Sequence, residues 1–488
     1  MRFISTRNEK EQVSAAQAIV QGLSQEGGLF VPEQFPKADL KKVCAFSDYA
    51  EMAAYILQLY LTEYSPEFLQ KTTKEVYGEA FENKAAYLYS VQKDLFSLEL
   101  WHGPTCAFKD YALQLMPRLL VEGKRIENHQ ETTYILVATS GDTGKAALSG
   151  YQDVPGVKIA VFYPQNGTSE VQRLQMTTQS GENVAVFAVH GNFDDAQTGV
   201  KKVFADEEIA AELLKKNMQL SSANSINWGR LVPQIVYYFA AYKQLLDQKA
   251  IKMGDEVDFC VPTGNFGDIL AGYYAKQMGL PVHRLICASN QNNVLTDFLR
   301  TGLYDARRKF YRTTSPSMDI LVSSNLERLL YHVSGDAKQV TAWMQQLAEE
   351  GFYQLDQENL QKIQQVFSAG WADDQKAGEQ LRECFEKDHY LCDTHTAVAF
   401  SVANEYRQKE NDGCPMVVLS TASPFKFSKD VLRALNQDVP QNEFEAMEKL
   451  AAYTAVEMPQ KLYQLQNAVE RFTITIGPQQ IADIARKG

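Results

Sequence analysis

The chain has 488 residues, 45% of them hydrophobic and 22% charged, which suits two or three packed lobes in place of one continuous core. Its net charge of −12 excludes the basic footprint that nucleic acid or an anionic membrane requires, so any phosphate site must be positive only locally. Seven cysteines lie scattered with no C-x-x-C pair, and seven histidines show no H-x-x-x-H spacing. That pattern predicts reduced thiols, a cytoplasmic protein and no metal site. The opening MRFISTRNEKEQ lacks a basic region followed by an apolar run, and no apolar stretch approaches the ~18 residues of a membrane span.

In chain order, residues 1–92 carry helical patterns at 12–23 and 48–64 around a proline-containing loop at 32–36, and are expected to form an N-terminal lobe. Short runs rich in Val, Ile, Phe and Tyr predict strands at 134–138, 158–163, 184–189, 257–261 and 284–288, with helices such as 169–179 and 268–278 between them. Strand–helix–strand alternation predicts an α/β architecture of mainly parallel sheets flanked by helices. The expected division is a first α/β lobe at 93–230 and a second at 231–488. The second contains a mostly helical insertion at about 295–395, a further strand at 416–420, and C-terminal helices beyond residue 441.

Ligands of α/β proteins sit past the carboxyl ends of strands. After 134–138 comes Thr139-Ser140-Gly141-Asp142-Thr143-Gly144, whose glycines and helix-start amides can face an anion. The step Gly144-Lys145 invites a P-loop reading, but Thr139 and Ala146 stand where that motif needs glycine and Ser or Thr. After 257–261, Gly264-Asn265-Phe266-Gly267-Asp268 opens a helix and forms a phosphate cradle that needs no lysine or arginine. Before the first of these loops, His102-Gly103-Pro104-Thr105-Cys106-Ala107-Phe108-Lys109-Asp110 sets a lysine among aromatic and small residues, where desolvation frees an amine for nucleophilic chemistry. Further on, Asn224, Ser225 and Arg230 are spaced to converge on an anion such as a phosphate monoester. Thr421 and Ser423 follow the strand at 416–420.

Taken in order, HGPTCAFKD, ATSGDTGKAA, SANSINWGR, PTGNFGDILAGYYAK and LSTASPFKF resemble the threonine synthases, within the fold-type II pyridoxal-phosphate enzymes. The opening Ile4-Ser5-Thr6-Arg7 and Gly27-Gly28-Leu29-Phe30-Val31-Pro32 are similar to that family's N-terminal lobe. The resemblance implies two α/β lobes like those of the tryptophan synthase β subunit, plus an N-terminal lobe. It implies pyridoxal 5'-phosphate on Lys109, with the cofactor phosphate on Gly264, Asn265, Phe266, Gly267 and Asp268. Thr421 would meet the pyridine nitrogen, and Asp142 would lie by the phenolic oxygen. Thr143, Asn224, Ser225, Arg230 and Asn265 would recognise the phosphate of O-phospho-L-homoserine, which is converted with water to threonine and phosphate in the last step of threonine biosynthesis. Two positions depart from the pattern: Asp142 stands where distant relatives carry Asn, and Ser423 where many carry His. The implied enzyme is a monomer or homodimer. The competing readings are a phospholyase or dehydratase releasing a 2-keto acid, and a non-catalytic phosphate-binding α/β protein. A dehydratase has no need of the Asn224–Arg230 cluster.

Overall fold

The computed structural model describes residues 1–166, 168–410 and 413–488. Two mainly parallel sheets dominate. One has five strands, in the order Thr475–Ile476, Val184–Val189, Val157–Pro164, Thr132–Ala138 and Met218–Ser221, all parallel. The other has six, in the order Phe367–Trp371, Val282–Ser289, Val257–Pro262, Met416–Ser420, Leu95–Glu99 and Tyr87–Gln92, with only the last pair antiparallel. Val257–Pro262 and Met416–Ser420 are buried along their whole length, as strands covered by helices on both faces must be, and this explains why they are apolar apart from Asp258 and Ser420. The long helices Ile235–Asp247 and Thr394–Glu410 are buried over residues 235–242 and 394–400, the second including the polar Thr394, His395 and Thr396.

The N-terminal lobe joins a three-stranded antiparallel sheet, ordered Gln12–Ser14, Arg2–Ser5 and Phe30–Pro32, to the helices Ala15–Gln21, Leu40–Ala45, Tyr49–Tyr60 and Pro66–Tyr77. Trp228, fully buried, ties it to the remainder of the molecule: its ring lies 4.9 Å from Phe3, 5.3 Å from Tyr60 and 5.5 Å from Tyr274. Among the described residues no helix is long and apolar enough to cross a membrane.

The strands expected at 134–138, 158–163, 184–189, 257–261, 284–288 and 416–420 are all present. Three expectations change. The predicted helix at 12–23 begins as the strand Gln12–Ser14 and turns helical only at Ala15, where Ser14 and Gln17 form a capping box. The region 295–395 is more than helical cover, because Phe367–Trp371 supplies the edge strand of the six-stranded sheet. Finally, the lobes do not divide at residue 93. Leu95–Glu99 pairs with Met416–Ser420 in the six-stranded sheet, and Thr475–Ile476 returns to the five-stranded one.

Candidate active site

Lys109 opens the short helix Asp110–Leu113, just beyond the strand Leu95–Glu99. Its segment is sewn to the end of Met416–Ser420: Phe108 N–H donates to Thr421 O at 2.9 Å, Ser423 N–H donates to Cys106 O at 3.1 Å, and Ala107 bridges Ala422. Thr421 is thereby held beside the lysine. The Lys109 side chain is 11% exposed, and burial, opposed by the Asp142 carboxylate, holds its amine below the ordinary lysine range. Its Nζ lies 3.5 Å from Ser317 Oγ, 3.9 Å from Asp142 Oδ2 and 4.7 Å from the centre of the Phe108 ring.

Asp142 begins the helix Asp142–Tyr151, after a loop in which Thr139 Oγ1 accepts from Gly141 N–H and Gly144 N–H at 3.0 and 2.9 Å. Gly141 has φ +147°, and a Cβ there would stand 2.5 Å from the Gln172 amide, so the turn needs glycine. Asp142 Oδ1 accepts from Gln172 at 2.9 Å and from Lys426 at 2.6 Å. Despite burial, the Lys426 and Lys109 ammonium groups keep the Asp142 carboxyl far below the usual carboxylate range. Thr143 is half-buried on the next position. Lys145, the lysine of the rejected P-loop reading, donates to Gln179 Oε1 at 2.5 Å, and burial lowers it to about 8.

The cradle follows Val257–Pro262 and leads into the helix Gly267–Gln277. Phe266 takes a left-handed φ of +63°, unusual for a bulky residue and a mark of a backbone held for its amide direction. A Cβ on Gly264 would meet Ser317 O at 2.7 Å. Asp268 is buried; Tyr237 and Tyr238 hydroxyls donate to Oδ1 at 2.5 and 3.2 Å, while Oδ2 has no partner among the described residues. Burial pushes this carboxyl up to about 7 against those two hydroxyls and the Lys109 charge.

Arg230 lies in the four-residue helix Trp228–Leu231 and is buried. Nη1 donates to Ala223 O at 2.5 Å, but among the described residues Nε has no partner, and neither does the buried hydroxyl of Tyr151. Burial lowers this guanidinium to about 10, so it stays charged at neutral pH, and its charge in turn depresses Lys109. Asn224 and Asn265 are exposed and Ser225 half-buried. Asn325 joins their two loops, donating from Nδ2 to Ser225 Oγ at 3.4 Å and to Asn265 O at 3.0 Å. Arg328 then fixes Asn325 (Nη1 to Oδ1, 2.6 Å) and reaches Ile226 O and Phe30 O at 2.5 and 2.9 Å.

Sequence reasoning thus missed Ser317, Asn325, Arg328, Lys426 and Gln172. Only Lys426 lay inside a recognised motif; the others come from stretches without local signal. A cleft of about 880 Å³ between Tyr49, Lys74, Tyr77, Lys84 and Lys243 includes none of the site residues. At the far end of the six-stranded sheet, Asp258, His283 and Cys414 bring donor atoms within 4.8 Å of one another, a grouping that their sequence spacing did not reveal.

Three family models match the chain: threonine synthase N terminus over residues 2–77, pyridoxal-phosphate dependent enzyme over 89–356, and threonine synthase C-terminal over 396–480. Threonine synthase-like 1 of Homo sapiens is 39% identical over 477 residues; the match covers 93% of this chain, which spans 63% of that protein's length. Threonine synthase of Pseudomonas aeruginosa is 37% identical, covering 99% of this chain and 97% of its own. Among solved structures, PLP-bound threonine synthase from Brucella melitensis superposes with a TM-score of 0.89 at 36% identity, covering 100% of this chain and 99% of its own. The chain belongs to the threonine synthase family of pyridoxal-phosphate-dependent enzymes.

Proposed function

We propose that the enzyme converts O-phospho-L-homoserine and water into L-threonine and inorganic phosphate, with Lys109 as the residue that carries pyridoxal phosphate. The observation that supports it most directly is the buried, half-satisfied Arg230, close enough to Lys109 to depress its basicity. An amine poised for covalent catalysis and a guanidinium with a spare N–H suit one substrate bearing both an amino group and a phosphate.

The residues fit the cofactor. The close approach of the Ser317 carbonyl oxygen requires glycine at 264, Phe266 holds a left-handed backbone, and the start of an eleven-residue helix favours an anion. These residues, Gly264 to Asp268, would hold the cofactor phosphate, while Asp142 and Thr421 would flank its ring. When bound, pyridoxal phosphate supplies an electron sink for charge developing at the substrate α-carbon. Lys109, neutral more readily than an exposed lysine, serves as base at the α-carbon and then the β-carbon, and returns a proton at the γ-carbon. Arg230, with Thr143, Asn224, Ser225 and Asn265, binds the substrate phosphate and keeps the cleaved phosphate in place while water adds at the β-carbon. Asp142 is held anionic by Lys426, so at neutral pH it accepts hydrogen bonds and has no proton to donate. Thr421 would offer the cofactor ring a hydroxyl in place of a carboxylate, which would limit charge delocalised into the ring and favour elimination over transamination.

The test is product analysis of cofactor-loaded protein incubated with O-phospho-L-homoserine. Threonine and phosphate in equal amounts are expected. Phosphate with 2-oxobutyrate and ammonia would make the enzyme a phospholyase, and turnover unaffected by Lys109→Ala would overturn the lysine assignment.

A further inference from the structure

The loop at 313–319, absent from every motif above, is fastened to a degree that a connection between elements does not need. Asp319 accepts from Thr313 N–H at 3.1 Å, Thr313 Oγ1 at 2.7 Å, Asn290 Nδ2 at 2.7 Å and Asn292 Nδ2 at 3.1 Å. Thr394 Oγ1 donates to Thr314 O at 2.6 Å, and Thr314 N–H donates to Asp374 Oδ1 at 3.1 Å. At its centre, Ser317 N–H donates to His395 Nε2 at 3.1 Å. The other ring nitrogen, Nδ1, lies 2.6 Å from Asp393 Oδ2, on a carboxylate that is fully buried and also accepts from His395 N–H and Thr396 N–H. A backbone amide can only donate, so His395 accepts at Nε2 and carries its proton at Nδ1 toward Asp393.

This Asp–His–amide chain ends where the chemistry is. The Ser317 carbonyl oxygen faces Gly264 so closely that a Cβ there would meet it at 2.7 Å, and the Ser317 hydroxyl is 3.5 Å from Lys109 Nζ. Asp142 is 3.9 Å from the same Nζ and is already engaged by Lys426 and Gln172. Among the described residues, Ser317 Oγ is therefore the uncharged acceptor nearest the amine.

We propose that Ser317 is a positioning residue for Lys109, aiming its amine at the carbonyl carbon of an incoming cofactor, and that the Asp393–His395 pair acts through it by fixing the Ser317 backbone. A neutral hydroxyl orients the amine without holding it as an ammonium, which a second carboxylate at that place would do. Hydrogen bonding of this reach is weak; its effect is on direction, and a small misdirection of a nucleophile is costly in rate.

The experiment uses unloaded full-length protein and two ligands. Pyridoxal phosphate reports capture by Lys109, in which the amine adds to the aldehyde carbon and water leaves, read as the rate of forming a borohydride-reducible adduct. 4-Deoxypyridoxine phosphate has no aldehyde and reports the phosphate cradle alone, read as its equilibrium affinity. For Ser317→Ala the capture rate should fall about tenfold while the analogue's affinity stays within about twofold, and Ser317→Thr, which keeps the hydroxyl, should restore most of the rate. His395→Gln should slow capture comparably, and the double variant should be no slower than the slower single one, as expected for residues acting in series. Wild-type capture by Ser317→Ala overturns the proposal, as does parallel loss of capture and analogue binding, which would mean that the loop merely builds the cradle. Multiplying losses in the double variant would remove His395 from the chain of action. Should His395→Gln not fold, the Ser317→Ala and Ser317→Thr pair still decides Ser317's part. No amino-acid substrate enters these readouts, so they stand apart from the identity of the reaction.

Discussion

At the scale of single residues, burial sets the charge states on which the site depends. Arg230 is the clearest case, since its guanidinium stays charged while one of its N–H groups finds no partner. Arg230→Ala should raise KM for the phosphorylated substrate by about 10²-fold, the value of a charge-assisted contact to phosphate, with pyridoxal phosphate binding unchanged; steady-state kinetics beside a cofactor titration would check this. Equal losses would mean that Arg230 serves the fold. Asp268 gives a pH prediction. Its carboxyl, raised to about 7 by burial, keeps a proton in the folded protein that the unfolded chain has released, so this group's contribution to stability falls as pH rises from about 4 to 7. Asp268→Asn, which mimics the protonated form, should gain on the wild type by on the order of a few kcal/mol between pH 5 and pH 8. Melting of unloaded protein at the two pH values measures it, and an equal difference at both would refute the assignment.

At the scale of elements, motifs at three strand ends become one site because Lys426 crosses between them. From the turn Pro424–Phe427 it reaches Asp142 at 2.6 Å and Thr105 O at 3.0 Å, with no exposed surface on its side chain. Lys426→Met should leave Asp142 as a buried carboxylate short of its main counter-charge, costing about 3–5 kcal/mol; chemical unfolding would read the loss, and a change below ~1 kcal/mol would mean that water replaces the lysine. The strand carrying this turn was legible because parallel strands covered on both faces must be continuous apolar runs, as Met416–Ser420 is. The turns at Gly264–Asp268 and at Asp142 were legible for the same local reason: glycines at strand ends followed by helical periodicity. His395 and Ser317 were not, since the contact between them spans 78 positions and neither belongs to a pattern of spacing. The strand Leu95–Glu99 also escaped, because its buried Ser97 and Glu99 interrupt the apolar run that would have announced it.

At the scale of the whole molecule, the N-terminal lobe reinforces the substrate end of the site. Arg7 grips Glu327 with two hydrogen bonds of 2.9 and 2.7 Å, Thr6 adds a third at 2.6 Å, and the neighbouring Arg328 holds Asn325 between the loops of Ser225 and Asn265. Arg7→Ala would leave a buried Glu327 with fewer partners; a loss of about 1–3 kcal/mol is expected, seen as faster proteolytic cleavage within residues 1–77, and unchanged cleavage would show that the lobes are held by apolar contacts such as those of Trp228.

The crossing of strands between sheets bears on how the protein is made. Leu95–Glu99 leaves the ribosome well before one of its two neighbours, Met416–Ser420. Until that partner is synthesised, on the order of tens of seconds later, a nascent strand with an open edge stands among unfinished neighbours, the kind of surface on which chains pair with one another. A polypeptide stopped before residue 416 should therefore be insoluble on its own.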